Sequence, residues 1–329
     1  MRRIVVIAVS PEQAYNSPPH RDRSRIPARA ACKKNDGVGC NVEERALSKM
    51  FNGLRCVGFA ALGMVAGCFP WQAPERVREF DRLDVAREAP EAVRSLKLGR
   101  AGVTAWPDGL DAFPALDRLS LRGASLEQVP PAVGKLKTVT WMDLGSASVA
   151  SLAGEVGRLT SLRTLYLSGN AITNLPPQLG QCAALEYLNL DDNPLAALPA
   201  EIGQLTALKW LRLNRTGLTS LPLEIGRLHT LQRLYLRDNR LEGLPDSLGD
   251  LAQLTDLSLS RNKLTEFPAC LTRLASLRRL DLQGNRIARL PDDLSGLAGL
   301  QAIRLDGNPL PQDEKERVRE SLPGCYIVF

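Results

Sequence analysis

One spacing governs what this chain can become. Leu162, Leu185, Leu208, Leu231, Leu254, Leu277 and Leu300 recur every 23 residues without an insertion, and Val93, Leu116 and Val139 carry the same register backwards. Ten registers in phase require a stack of like units, because a fixed period of this length is the mark of repeat architectures. A representative unit is LEYLNLDDNPLAALPAEIGQLTA, residues 185–207, with apolar residues at unit positions 1, 4, 6, 11, 14, 18 and 21, Asn at 9 and Pro at 15. Side chains alternate along a strand, so positions 4 and 6 share one face and positions 3, 5 and 7 the other. A single unit has nothing to bury its leucines against. Neighbours must therefore stack, which aligns the strands as a parallel sheet.

Position 9 falls where the backbone has left the sheet and needs new partners, and an Asn amide both donates and accepts there. Asn170, Asn193, Asn239, Asn262, Asn285 and Asn308 hold this place, with Thr216 interrupting them once. Ala101, Ala124 and Ala147 stand there in the first three registers, which predicts a weaker ladder in that third, with water in place of the amides. The unit 139–161 lacks both Asn and Pro and is expected to be the least typical. Prolines such as Pro176 and Pro222 follow the turn, where the missing N–H costs no sheet bond.

The LxxLxLxxN spacing resembles the leucine-rich repeat family, in the 23-residue class found in bacteria and in plant Ras-group-related proteins. The resemblance covers about two thirds of the chain. It implies an α/β fold, a curved solenoid with a parallel concave sheet, a helical N-terminal cap and a helix-plus-strand C-terminal cap. It also implies a non-enzymatic module for protein–protein recognition.

The repeats run over 93–310, the last being partial, and segments at both ends suit caps. Residues 75–92 form the expected N-terminal cap, with an amphipathic helix over 75–89 that places Val77, Phe80 and Leu83 on one side. Residues 311–329 form the other: Pro311 and two acids suit a helix start, Pro323-Gly324 stops it, and Tyr326–Phe329 lies along the last sheet edge. "LPGCYIVF" resembles the family's closing segment, which makes Cys325 a packed residue and leaves no stretch for an appended catalytic domain.

With positions 3, 5 and 7 on the concave wall, its surface follows by counting. Five of the nine Trp and Tyr residues, Trp141, Tyr166, Tyr187, Trp210 and Tyr235, fall there in five consecutive registers. At roughly 4.8 Å per strand they span about 19 Å, the scale of a modest interface core. Tyr187 should neighbour Trp210, and Arg212 should meet Tyr235 in a cation–π contact. Arg118, Arg122, Arg233 and Arg237 flank the stripe and Asp143 and Asp191 lie inside it, so the expected partner is of mixed charge. Trp, Tyr and Arg are the types most enriched at interface hot spots. A protein or a glycan satisfies the pattern equally; the competing reading is that the rings only cover their neighbouring strands.

Charge and titratable residues narrow the alternatives. The formal charge is +6, but residues 1–49 contribute +5 and Arg55 one more, so that from Cys68 onward 31 basic residues meet 31 acidic ones. Nucleic acid is excluded as the expected partner, since no global basic field remains. Only His20 and His229 are present, in different segments, and none of the seven cysteines forms a CxxC pair; no metal or cofactor is expected. Cys182 and Cys270, four registers apart, lie beyond disulfide reach and read as core residues.

Residues 1–49 are rich in Pro, Arg and Ser and read as disordered or as an upstream segment, with Met50 the true start. Arg55 followed by the twelve apolar or small residues Cys56–Gly67 has the length of a signal-peptide core. "VAGC", residues 65–68, resembles the bacterial lipobox. The resemblance implies a lipoprotein signal peptide over 50–67, lipidation of Cys68, a linker over 68–74, and, with Phe69 after the cysteine, an outer-membrane lipoprotein facing the periplasm or the surface. Membrane contact is then expected only through that lipid. The alternatives are a cytoplasmic or secreted leucine-rich repeat adaptor or effector.

Overall fold

The computed structural model describes residues 79–99 and 102–329. Short strands form at unit positions 3 to 5, with β4 and β6 at positions 13 and 14 and β1 ahead of the first unit: β1 (Glu79–Phe80), β2 (Ser95–Lys97), β3 (Arg118–Ser120), β4 (Gln128–Val129), β5 (Trp141–Asp143), β6 (Ser151–Leu152) and β7 (Thr164–Tyr166). They continue as β8 (Tyr187–Asn189), β9 (Trp210–Arg212), β10 (Arg233–Tyr235), β11 (Asp256–Ser258), β12 (Arg279–Asp281), β13 (Ala302–Arg304) and β14 (Tyr326–Val328). Twelve of them make one parallel sheet, in which only β4 and β6 are skipped. From β2 to β13 each residue pairs with the one 23 later, as Tyr187 does with Trp210 and Trp210 with Arg233. The sequence period is therefore the strand step of a curved leucine-rich repeat solenoid, with this sheet on its concave side.

The leucines form one continuous core. Leu165, Leu167, Leu188, Leu190, Leu211 and Leu213 have no exposed surface. Each such side chain contributes about 1.5–3 kcal/mol of burial, realised only because a neighbouring unit covers it. Three residues past each strand the chain turns through a left-handed residue at unit position 8, with φ between 52° and 77° at Gly123, Ser146, Gly169, Asp192, Arg215, Asp238, Arg261, Gly284 and Gly307. It returns along the outer side through 3₁₀ turns, such as Ala200–Gln204 and Leu223–Arg227, entered from extended Pro199 and Pro222. These turns stack so closely that a methyl group at Gly203 would collide with the carbonyl oxygen of Glu224.

The asparagine ladder ties unit to unit. Asn193 donates to the carbonyls of Leu190 and Leu167, each at 2.9 Å, and accepts the N–H of Ile172 at 3.1 Å. Asn170, Asn239, Asn262, Asn285 and Asn308 repeat this pattern. At the interruption, Thr216 donates to its own Leu213 carbonyl and to Asn239 but makes no bond to the preceding unit. Leu195 N–H turns instead to the carbonyl of Asn193. The alanine registers differ from the expected water-held ladder. There β4 and β6 pair as a second two-stranded parallel sheet, and Leu126, Ala150 and Ala153 donate to the carbonyls of Ala147, Glu127 and Val129. Backbone bonds directly to backbone where the amide is missing.

The two caps also depart from and follow expectation, respectively. Among the described residues the N-terminal α-helix is α1 (Leu83–Arg87), and Phe80 belongs instead to β1, paired with Leu96 at the sheet edge. A 3.6-residue reading that joins Phe80 to Leu83 fails because an open parallel edge offers Phe80 ladder bonds as well as burial. Residues 75–78 lie outside the described residues, as do Ala101 and everything before Glu79. At the other end α2 (Gln312–Ser321) starts after Pro311 and packs Val318 and Glu314 inward, while β14 completes the sheet against β13. Cys325 rests half-buried against the core.

Candidate partner-binding face

Positions 3, 5 and 7 occupy the sheet face opposite the leucines, and their side chains form an ordered row. Trp141 meets Tyr166 at 5.8 Å between ring centroids, Tyr166 meets Tyr187 at 4.9 Å, and Tyr187 meets Trp210 at 5.8 Å, with tilts of 57°, 41° and 56°. The guanidinium of Arg118 lies over Trp141 at 4.3 Å and that of Arg233 over Trp210 at 4.2 Å. The row thus reads Arg–Trp–Tyr–Tyr–Trp–Arg across six consecutive strands. Strand spacing explains it, since side chains on adjacent parallel strands stand about 4.8 Å apart and the rings tilt against one another. Tyr235 stands beside the row with Arg212 at 5.5 Å, the cation–π pair expected from register. Burial pushes the Tyr187 phenol well above its ordinary pKa, so it stays neutral.

The charges are layered in a way that spacing alone does not give. Asp191 is buried, accepting the Asn214 N–H at 2.7 Å and Arg212 Nε at 2.8 Å. Asp143 is buried as well, accepting the Gly145 N–H at 2.9 Å with Arg122 3.7 Å away, and desolvation raises its carboxyl pKa. Asp256 sits between Arg233 and Arg279. Side-chain exposures are 47% for Arg122 against 11% for Asp143, and 61% for Arg279 against 10% for Asp256. Short aspartates lie at the floor of the face while the longer arginines stand above them. Asp143 and Asp191, read from the sequence as charges facing a partner, are internal acceptors that fix the arginines and the turn. Arg118, Arg122 and Arg237 are exposed, and Arg237 leans on Asp238 at 3.0 Å.

Along the neighbouring rim, Asp192, Arg215, Asp238 and Arg261 occupy the left-handed turn position in successive units. Arg215 pairs with Asp192 and Arg261 with Asp238. This alternating row went unread because attention to positions 3, 5 and 7 passes over position 8; tabulating that column shows it. Cys182 and Cys270 are buried free thiols, their pKa values pushed up to about 11 by desolvation, and His229 is exposed just past the turn Leu223–Arg227. Cys68 lies outside the described residues.

A model described as a leucine-rich repeat region matches residues 199–324, and a two-copy leucine-rich repeat model matches 160–201. The chain is a leucine-rich repeat protein. Among solved structures, this leucine-rich repeat protein is similar to one from Leptospira interrogans, at 24% identity over 77% of this chain and 100% of that one, with a TM-score of 0.42. No curated protein matches it.

Proposed function

We propose that this leucine-rich repeat protein is a recognition module that holds a protein partner on its concave face, centred on the row from Trp141 to Trp210. The observation that carries this reading is the row itself: four consecutive aromatic side chains, bounded by arginines, on the polar side of a sheet whose core is closed on the other side. Half-buried Trp and Tyr anchors present large apolar area at low conformational cost, which suits a binding hot spot. Replacing Tyr187 and Trp210 together by alanine is expected to leave the far-ultraviolet spectrum native and to abolish partner capture. Undiminished capture by a folded double variant sinks this placement.

We further propose that the module is tethered to a bacterial outer membrane by lipid on Cys68, a reading supported by the lipobox-like VAGC after an apolar stretch. The chemistry needs a free thiol at Cys68 and small residues before it for the peptidase. Metabolic labelling with a fatty acid should mark the wild type and spare Cys68→Ala. A wild type without label removes the anchor and favours the cytoplasmic or secreted adaptor.

A further inference from the structure

The concave-face reading leaves the chemistry of the partner open, and the layering of charge on that face closes much of the choice. We infer that the face takes an acidic, extended protein segment whose carboxylates reach Arg118 and Arg233 at the two ends of the aromatic row. The inference rests on the concave face being the site.

Three observations carry it. The face has eight cationic side chains at positions 3, 5 and 7 against five acidic ones, a surplus of three that the neutral composition of the repeats conceals. The surplus understates the asymmetry, because three of those carboxylates, Asp143, Asp191 and Asp256, are buried under the arginines that pair with them. An approaching molecule meets guanidinium groups first. Among the described residues Arg118 pairs with no carboxylate, and Arg233 stands 3.8 Å from an Asp256 that Arg279 also holds. A guanidinium lying on a ring keeps its in-plane N–H groups for bidentate bonds to a carboxylate.

The rings argue against the competing ligands. Each aromatic of the row has a neighbour on both sides: Tyr166 and Tyr187 lie between other rings, and the outer sides of Trp141 and Trp210 carry Arg118 and Arg233. Nucleobases are held by stacking on an open ring face, and here the Trp141 and Trp210 rings carry guanidinium groups. A peptide needs only apolar contact and charge. The geometry also sets a spacing. Arg118 and Arg233 are five strand steps apart, about 24 Å at roughly 4.8 Å per step, which an extended chain covers in about seven residues at 3.4 Å each.

The test is selection of random twelve-residue peptides displayed on phage against the immobilised full chain. Enriched peptides should carry an excess of Asp and Glu, with acidic residues about seven apart, and should lose at least tenfold in affinity when salt rises from 50 to 200 mM or when Arg118→Glu and Arg233→Glu are combined. The charge-reversed variant, checked for an unchanged melting temperature, should select Lys-rich and Arg-rich peptides in their place. Enrichment without acidic excess, or no enrichment at all, overturns the inference. Tyr187→Ala with Trp210→Ala separates the two levels. Peptides that lack an acidic excess yet are lost on this pair refute the charge argument alone, whereas acidic peptides indifferent to both the aromatic and arginine changes refute the concave site itself.

Discussion

Thr216→Asn should make the protein more stable, and the size of the gain can be worked from the ladder it would complete. In the neighbouring unit Asn193 makes two bonds to the unit before it, to the Leu167 carbonyl at 2.9 Å and the Ile172 N–H at 3.1 Å, besides the one to its own Leu190. Thr216 makes only the last kind, to Leu213 at 3.0 Å, and its hydroxyl is too short to reach back to the Leu190 carbonyl or the Leu195 N–H. An asparagine there adds two interunit bonds in a fully buried setting. At about 0.5–1.5 kcal/mol net for each, less the shared hydroxyl bond to Asn239 and the tight Leu195 N–H bond to the Asn193 carbonyl that the amide replaces, the expected gain is about 0.5–1 kcal/mol. For a body of some 250 residues that raises the melting temperature by roughly 1–4 °C. Urea titration followed by circular dichroism measures it, with Asn239→Ala as the opposing case. A gain is a sharper test than a loss, since many kinds of damage destabilise and few changes do the reverse. If Thr216→Asn left the midpoint unchanged or lowered it, the ladder would be an ornament of the turn and not a tie between units.

Three further outcomes follow from particular contacts. Asp143 has its folded pKa raised by desolvation, so its ionised form weakens the native state at neutral pH and its protonated form does not; Asp143→Asn should therefore stabilise at pH 7, and the advantage should vanish below about pH 4, near the unfolded carboxyl value. Gly203→Ala should cost well over 1 kcal/mol because backbone of the next turn must move, whereas Gly217→Ala, in open space at φ +82°, should cost only about 1–2 kcal/mol for its left-handed backbone; equal losses in paired thermal melts would contradict this packing. Glu314 accepts the Leu290 N–H at 2.7 Å and Arg317 Nη2 at 2.7 Å, and those bonds hold its pKa down, so the C-terminal cap gains stability above about pH 4.3 and loses it as pH falls through the lower folded value. Glu314→Gln should remove that acid sensitivity at a cost of about 1–3 kcal/mol at pH 7, readable by hydrogen exchange at Leu290.

The repeat was legible because every unit obeys one rule: a leucine at position 4 or 6 has one face to go to, and pairing at 23 residues makes Tyr187 the neighbour of Trp210. What a one-dimensional pattern omits is depth. Alternation puts Asp143 and Asp191 on the same face as Arg122 and Arg212, but side-chain length decides that the acids lie beneath and the arginines above. Phe80 was misplaced for another reason. Its spacing to Leu83 fits a helix, and the pull of an unpaired strand edge comes from β2, a segment some fifteen residues away. The alanine registers were likewise read as deficits, although the second sheet formed by β4 and β6 draws on backbone atoms that every residue carries.

The left-handed turn position bears on how sturdy this molecule can be made. Glycine fills it at Gly123, Gly169, Gly284 and Gly307, while Ser146, Asp192, Arg215, Asp238 and Arg261 fill it in the other described units. A left-handed backbone at a residue such as arginine costs about 1–2 kcal/mol, and an exposed ion pair returns at most about 1 kcal/mol. Arg215→Gly and Arg261→Gly should therefore make the turn sturdier. A sturdier turn and the alternating charges of that rim are therefore opposing aims at the same residues.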